Sequence, residues 1–195
     1  MHDVHEVNLS DGIVALSPPG PDDVDAHLAG EDELQIRWLS EKPATRADIE
    51  AYFRRCAEQW SVRGPLRAFG IRSADRSTLM GYIDLRFDVA GLAPGQANIS
   101  YTLYPDWRGR GLATRAVRLI CRYAASEGVA RAVIRVDPEN PASAAVARRS
   151  GFVHDRRIVE EDGHLIDWYL FDLSGGADLS GVAEPPDDVD LPTAR

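Results

Sequence analysis

Lysine is almost missing from this chain of 195 residues: of its 22 basic side chains only Lys42 is a lysine, and the rest are arginine. Arginine is neither an acylation target nor a Schiff-base amine, whereas its planar guanidinium suits phosphate and carboxylate. Cysteine is scarce as well. Cys56 and Cys121 lie at helical spacing among apolar or aromatic neighbours, which reads as two reduced structural thiols and agrees with a cytoplasmic setting. The five histidines, at 2, 5, 27, 154 and 164, share no metal-ligand spacing, so no metal site is expected. No apolar run approaches the ~18 residues of a membrane span. The opening MHDVHEVNL is charged and has no apolar centre, unlike a signal peptide.

Basic charge is also in deficit, with 31 acidic residues giving a formal net charge of −9. That balance disfavours the phosphate backbone of nucleic acid and favours a cationic partner. From Ser174 the composition turns to Gly, Pro and acid, and Asp178, Glu184, Asp187, Asp188 and Asp190 against Arg195 supply −4 of the −9. We therefore expect one domain over 1–173 and a solvated acidic tail over 174–195.

Within the domain, periodicity gives the elements. Ile13 to Ser17 reads as a strand, and the proline-rich turn after it leads into a helix through Val24 and Leu28, followed by a short helical piece over 32–39. Thr45 with Asp48 three residues on is an approximate capping box for a helix whose stripe is Ile49, Tyr52, Phe53, Cys56 and Trp60. That stripe is either core or the wall of a substrate pocket. Leu66 to Arg72 and Leu79 to Val89 make a hairpin, and Ala97 to Tyr104 makes a strand stopped by Pro105. A helix carries Leu112, Ala116, Leu119, Ile120 and Tyr123 on one face, and Gly128 ends it. Ala132 to Val136 is a short buried strand, 142–149 a helix, and Phe152 to Glu160 with Leu165 to Leu173 a last hairpin. The sum is an α/β domain: a mixed sheet of six or seven strands with helices on both faces.

Chemistry concentrates in WRGRGLAT, Trp107 to Thr114, between the strand at 97–104 and the helix after it. Arg108, Gly111 and Ala113 stand in the order R-x-x-G-x-A. Gly109 and Gly111 let a ligand lie on the backbone, and a helix N-terminus presents free N–H groups at the positive end of its dipole. Such a loop can hold a pyrophosphate. It lacks the Lys-Ser/Thr pair of a nucleoside-triphosphate loop, and no G-x-G-x-x-G follows the first strand, so neither ATP nor NAD is indicated.

Together with N-x-x-S at Asn140 and Ser143 and the Gly151-Phe152 pair, this loop makes the chain resemble the GNAT superfamily of acyl-CoA-dependent N-acyltransferases, most closely its Rim-like branch, which acetylates ribosomal-protein N-termini. The resemblance implies a mostly antiparallel sheet whose fourth and fifth strands splay apart. It implies acetyl-CoA as the acyl donor, held by Leu103 and Tyr104 at the splay and by the backbone of Arg108, Gly109, Arg110, Gly111, Leu112, Ala113 and Thr114. The Thr114 hydroxyl would add a bond, and Arg110 is either a CoA-phosphate contact or a solvated charge. Asn140 would fasten the splayed strand or the pantetheine arm, or else mark a helix entry. Ser143 would cap the helix at 142–149 or hand a proton to the departing thiolate.

Two positions depart from the family pattern. Many Rim-like members carry a glutamate base where this chain has Asn98, and many other family members carry a tyrosine acid where it has Ala147. Asp84 on the third strand is the substitute base, against the plainer reading of an outward carboxylate. Tyr101 and Tyr104 are substitute acids, against the reading of core tyrosines, and His154 and Asp155 are weaker candidates. The acceptor channel is expected around Arg37-Trp38, Asp84 and 154–167, with Asp155, Glu160, Glu161, Asp162 and Asp167 steering a cationic amine. The acceptor is a peptide N-terminus or a small-molecule amine, including an aminoglycoside, and a homodimer is compatible. A CoA-binding regulatory protein without catalysis is the reading from another class.

Overall fold

The computed structural model describes residues 7, 9–40 and 42–174. All of the tail except Ser174 lies outside the described residues. Eight strands form one sheet in the order β1-β2-β3-β4-β5-β6-β8-β7. They are β1 Leu9–Ser10, β2 Val14–Ser17, β3 Leu66–Ser73, β4 Leu79–Arg86, β5 Gln96–Leu103, β6 Arg131–Val136, β7 Val153–Val159 and β8 Leu165–Asp172. Neighbours are antiparallel except β5 and β6, which are parallel.

The strand beyond the expected six or seven is β1. It is two residues long, too short for alternation to show, and Asp11 sets it against β2 by accepting the N–H groups of Ile13 and Val14. β4 stops at Arg86 and not at Val89, because Phe87 turns its N–H to Pro65 O and the chain enters a loop with Gly91 and Gly95 at positive φ. The short helical piece is one helical turn, α2 Glu33–Gln35, continued by a π turn over Ile36–Ser40.

Helices cover both faces. α4, Leu112–Ser126, buries its expected stripe together with Val117 and Ala124 against β1, β2, β4 and β5. Each large side chain buried there is worth roughly 1.5–3 kcal/mol, and Trp60, Phe69 and Tyr123 add edge-on ring contacts. α1, Val24–Gly30, and α3, Arg46–Ser61, lie on the other face, where Val24, Ile49 and Phe53 pack on Leu79 and Tyr82. The capping box read from Thr45 and Asp48 is formed. α5, Pro141–Arg149, sits beside β6 and α4.

The sheet forks between its two parallel strands. β5 and β6 pair only at Gln96 with Arg131, Ala97 with Ala132 and Asn98 with Val133. Beyond that last rung β5 runs on to Leu103 and β6 to Val136 without each other. This is the splay of a GNAT-like sheet, and it places a gap at the C-terminal ends of two parallel strands, where ligands enter α/β sheets.

Candidate functional site

Ladder phase decides which backbone groups face the gap. Tyr104 donates its N–H to Met80 O on β4, so by antiparallel alternation the backbone of Asn98, Ser100 and Thr102 turns to β4 and that of Tyr101 and Leu103 turns to the fork. Leu103 O is taken by Arg108 Nε at 2.8 Å. The groups left facing the gap are the N–H and C=O of Tyr101 and the N–H of Leu103. Tyr104 is turned away from it. Its carbonyl accepts from Trp107 N, its hydroxyl lies 3.1 Å from His27 Nδ1, and its ring packs in a buried cluster with Tyr82. Burial pushes the Tyr104 hydroxyl well above the ordinary phenol range and holds His27 below the usual imidazole value.

The loop at 108–114 opens where the fork ends. Gly109 and Gly111 have φ of 74° and 71°, a left-handed conformation that costs other residues 1–2 kcal/mol. A Cβ at either would touch nothing within 4 Å, so the space in front of them is open. Gly111 is the N-cap of α4 and offers no side chain, and no acidic residue lies in the first turn. The N–H groups of Leu112, Ala113 and Thr114 therefore stand at the helix's positive end without intrahelical partners. Arg110 stacks on Trp107 at 5.3 Å. Arg108 is engaged inward: its guanidinium grips both oxygens of Asp32 at 2.6 and 2.8 Å, which holds that carboxyl below its usual range. Asp32 also accepts the N–H of Gln35, tying α2 to this loop. On the other prong Arg37 reaches Glu139 at 2.7 Å. Asp32→Ala should unseat α2 and strand the Arg108 guanidinium, at a cost of about 1–2 kcal/mol. Thermal melting is expected to fall by roughly 3–6 °C. An unchanged melting temperature would contradict this clamp.

On the α4 side of the fork a hydroxyl pair crosses the gap. Tyr101 Oη donates toward Ser143 O at 3.0 Å and lies 3.0 Å from Ser143 Oγ. Burial pushes the Tyr101 phenol up to about 12, so it stays protonated. The cap of α5 is Asn140, whose Oδ1 accepts from Ser143 N; Ser143 is three residues inside and its hydroxyl is free for Tyr101.

The opposite side is polar. Asp84 lies beneath α3 near Tyr52 and is not an outward-facing carboxylate; its side chain is 14% exposed. Burial pushes it up to about 6 despite Arg86, whose Nε lies 3.4 Å from Oδ1. Asn98 sits on the same face, its amide donating to Ser100 Oγ. Three of the five hairpin carboxylates expected to steer a cation are paired, Asp155 with Arg156, Glu160 with Arg135, and Asp167 with Arg157 and His154, whereas Glu161 and Asp162 have no ion-pair partner among the described residues. Asp167 is held down to about 2 by these partners. Steering by the three paired groups is accordingly cancelled at close range.

A sequence model described as the acetyltransferase (GNAT) domain matches residues 14–153. The chain belongs to the GNAT acetyltransferase family. Membership carries the family's general activity, acetyl transfer from acetyl-CoA, and leaves the acceptor open. No curated protein matches this GNAT chain by sequence. Among solved structures, the GNAT fold here is similar to that of spermidine N-acetyltransferase from Vibrio cholerae in complex with CoA and spermine, at 16% identity, 84% of this chain, 98% of that one and a TM-score of 0.70. It is similar to the microcin C7 self-immunity acetyltransferase in complex with acetyl-CoA and AMP, at 17% identity, 86% and 99% coverage and 0.70. A third is the Salmonella typhimurium acetyltransferase that modifies the N-terminal serine of ribosomal protein L7/L12, at 19%, 82% and 95%, and 0.67. Similar scores for a spermidine, a microcin self-immunity and a ribosomal-protein acetyltransferase do not separate the Rim-like branch from other GNAT members. Among the described residues no helix is long and apolar enough to cross a membrane.

Proposed function

We propose that the protein transfers an acetyl group from acetyl-CoA directly to a primary amine, with both substrates bound at the fork. The observation that carries this reading is the coincidence of the β5–β6 gap with an uncapped, glycine-flanked helix N-terminus. The pyrophosphate sits on the N–H groups from Gly109 to Thr114, and the pantetheine arm runs into the gap along Tyr101 and Leu103. The amine approaches from the face of α1 and α3 and attacks the thioester carbonyl. The oxyanion is stabilised by the Leu103 N–H, Asp84 takes the amine proton directly or through one water, and the C–S bond breaks as the thiolate takes a proton from the Tyr101–Ser143 pair. Base and acid thus stand on opposite sides of the sheet, so donor and acceptor enter from different faces.

A thiol-release assay with acetyl-CoA and a panel of peptides, polyamines and aminoglycosides tests the activity, and no turnover of any amine would contradict it. In the same assay Tyr101→Phe should lower kcat by roughly 10²-fold. Ser143→Ala should cost less, because Tyr101 keeps its bond to the Ser143 carbonyl. An unchanged kcat in Tyr101→Phe would remove that hydroxyl from the mechanism.

A further inference from the structure

Far from the fork, a buried cation has no anion. Of the buried residues that carry a full charge, Asp23 faces Arg72 and Asp167 faces Arg157, but Arg67 on β3, 4% exposed, forms no ion pair among the described residues. Its Nη1 donates to the carbonyls of Gly64 and Leu66, its guanidinium lies 5.5 Å from the Trp60 ring, and the Tyr123 hydroxyl stands beside it. These neighbours offset part of the desolvation, yet none carries a formal negative charge, and a guanidinium cannot shed its proton. The group is not sealed in. Arg67 lines an open concavity of about 360 Å³ with Arg63, Gly64, Pro65, Phe87 and Glu127. Glu127 is the C-cap of α4, so the 15 residues of that helix, about 22 Å, separate this place from the phosphate loop.

A second guanidinium reaches the same concavity from a strained position. Gly64 N donates to Gln59 O and Arg63 N to Trp60 O, the two bonds of a Schellman turn at the end of α3, and they set Arg63 at φ 50° where glycine is the usual residue. Arg63 Nη2 lies 3.2 Å from Glu127 Oε1, and its other N–H groups are unengaged. We infer that this concavity binds a small monocarboxylate. The carboxylate meets the unengaged N–H groups of Arg67 and Arg63, and the carbon body of the ligand lies against Pro65 and Phe87, which is 37% exposed. Charge selects the class. Two arginines against one glutamate leave the site with a single net positive charge, and α3 and α4 both end here with the negative ends of their dipoles. One negative charge balances that; a phosphate dianion exceeds it, and an amine is repelled. The backbone agrees, because Gly64 N is used in the turn, Pro65 has no N–H and Phe87 N donates to Pro65 O. No nest of amides is left for a phosphate, whereas the planar guanidinium fork matches a carboxylate. The site stands apart from the acetyl-transfer reading and does not depend on it.

Benzoate, its uncharged counterpart benzamide and inorganic phosphate, each titrated into isotopically labelled full-length protein and followed by backbone amides in NMR, test the site. Benzoate is expected to give saturable shifts at Arg63, Gly64, Arg67, Phe87 and Glu127, with an affinity roughly tenfold or more above that of benzamide or phosphate. The same result is expected in the presence of saturating acetyl-CoA. Arg67→Met, which keeps the stem packed and removes the charge, should erase the preference of benzoate over benzamide. Two exposed-side changes of opposite sign serve even where that variant fails to fold. Arg63→Gln should weaken benzoate roughly tenfold, and Glu127→Gln, which removes the only acid of the concavity, should tighten it by about threefold or more and admit phosphate. Equal affinities for benzoate and benzamide, no saturable shift at these amides, shifts confined to Gly109 to Thr114 and lost on adding acetyl-CoA, or an affinity for benzoate unmoved in the folded charge variants would each overturn the inference.

Discussion

Gly111→Val is expected to weaken CoA binding at least tenfold, about 1.4 kcal/mol, while the protein stays folded. Two effects act together. A β-branched residue resists the φ of 71° found there, which pulls the first turn of α4 out of position. Its methyl groups also enter the open space in front of the Gly111 backbone, where the pyrophosphate must lie. A Cβ at Gly111 would meet no atom within 4 Å beyond its immediate chain neighbours, so the folding cost comes chiefly from backbone strain. Calorimetric titration of CoA into the folded variant checks this, and an unchanged affinity would sink the phosphate assignment.

Asp84→Asn should lower kcat by about 10²-fold or more at saturating substrates, because the amide cannot take the amine proton. The wild type should show an ascending limb in kcat/KM with an apparent pKa of about 6, set by burial of this carboxyl, and the variant should lose that limb. Stability gives an independent sign. A carboxyl whose folded-state pKa is raised from 3.8 to about 6 favours folding when protonated, so its contribution is full below pH about 4 and is lost as pH rises through about 6. The melting temperature of the wild type should fall across that window, and Asp84→Asn should flatten the dependence. Full activity together with an unchanged pH profile in Asp84→Asn would remove this residue as the base.

Elements whose hydrophobic period is long were legible from the residues alone. The stripe of α4, the capping box of α3 and the two hairpins each satisfy a local rule, so no tertiary knowledge is needed to place them. The fork was legible only through family resemblance: nothing in QANISYTL or RAVIRV says that pairing ends at Asn98 and Val133. Side-chain roles were the least legible. Tyr104 and Tyr101 look alike in sequence, but a difference of three in position puts them on opposite faces, one against His27 and one against Ser143. Arg108 belongs to the binding motif, yet its guanidinium answers to Asp32, 76 residues away, and only the fold brings that carboxylate into reach. Glu160 and Asp167 of the last hairpin read as part of an attractive field in sequence because their arginine partners, Arg135 and Arg157, come from another strand or from a pairing that the register alone creates.

The acyl donor is expected to lie in the fork with its pyrophosphate on α4. Titrating acetyl-CoA into isotopically labelled protein and following backbone amides by NMR tests it most directly. Saturable shifts are expected at Gly109 to Thr114, with a second set at Tyr101 and Leu103. Shifts confined to another concavity, such as the groove between Pro19–Val24 and the Arg46–Ala57 face of α3, with the 109–114 amides unmoved, would contradict it.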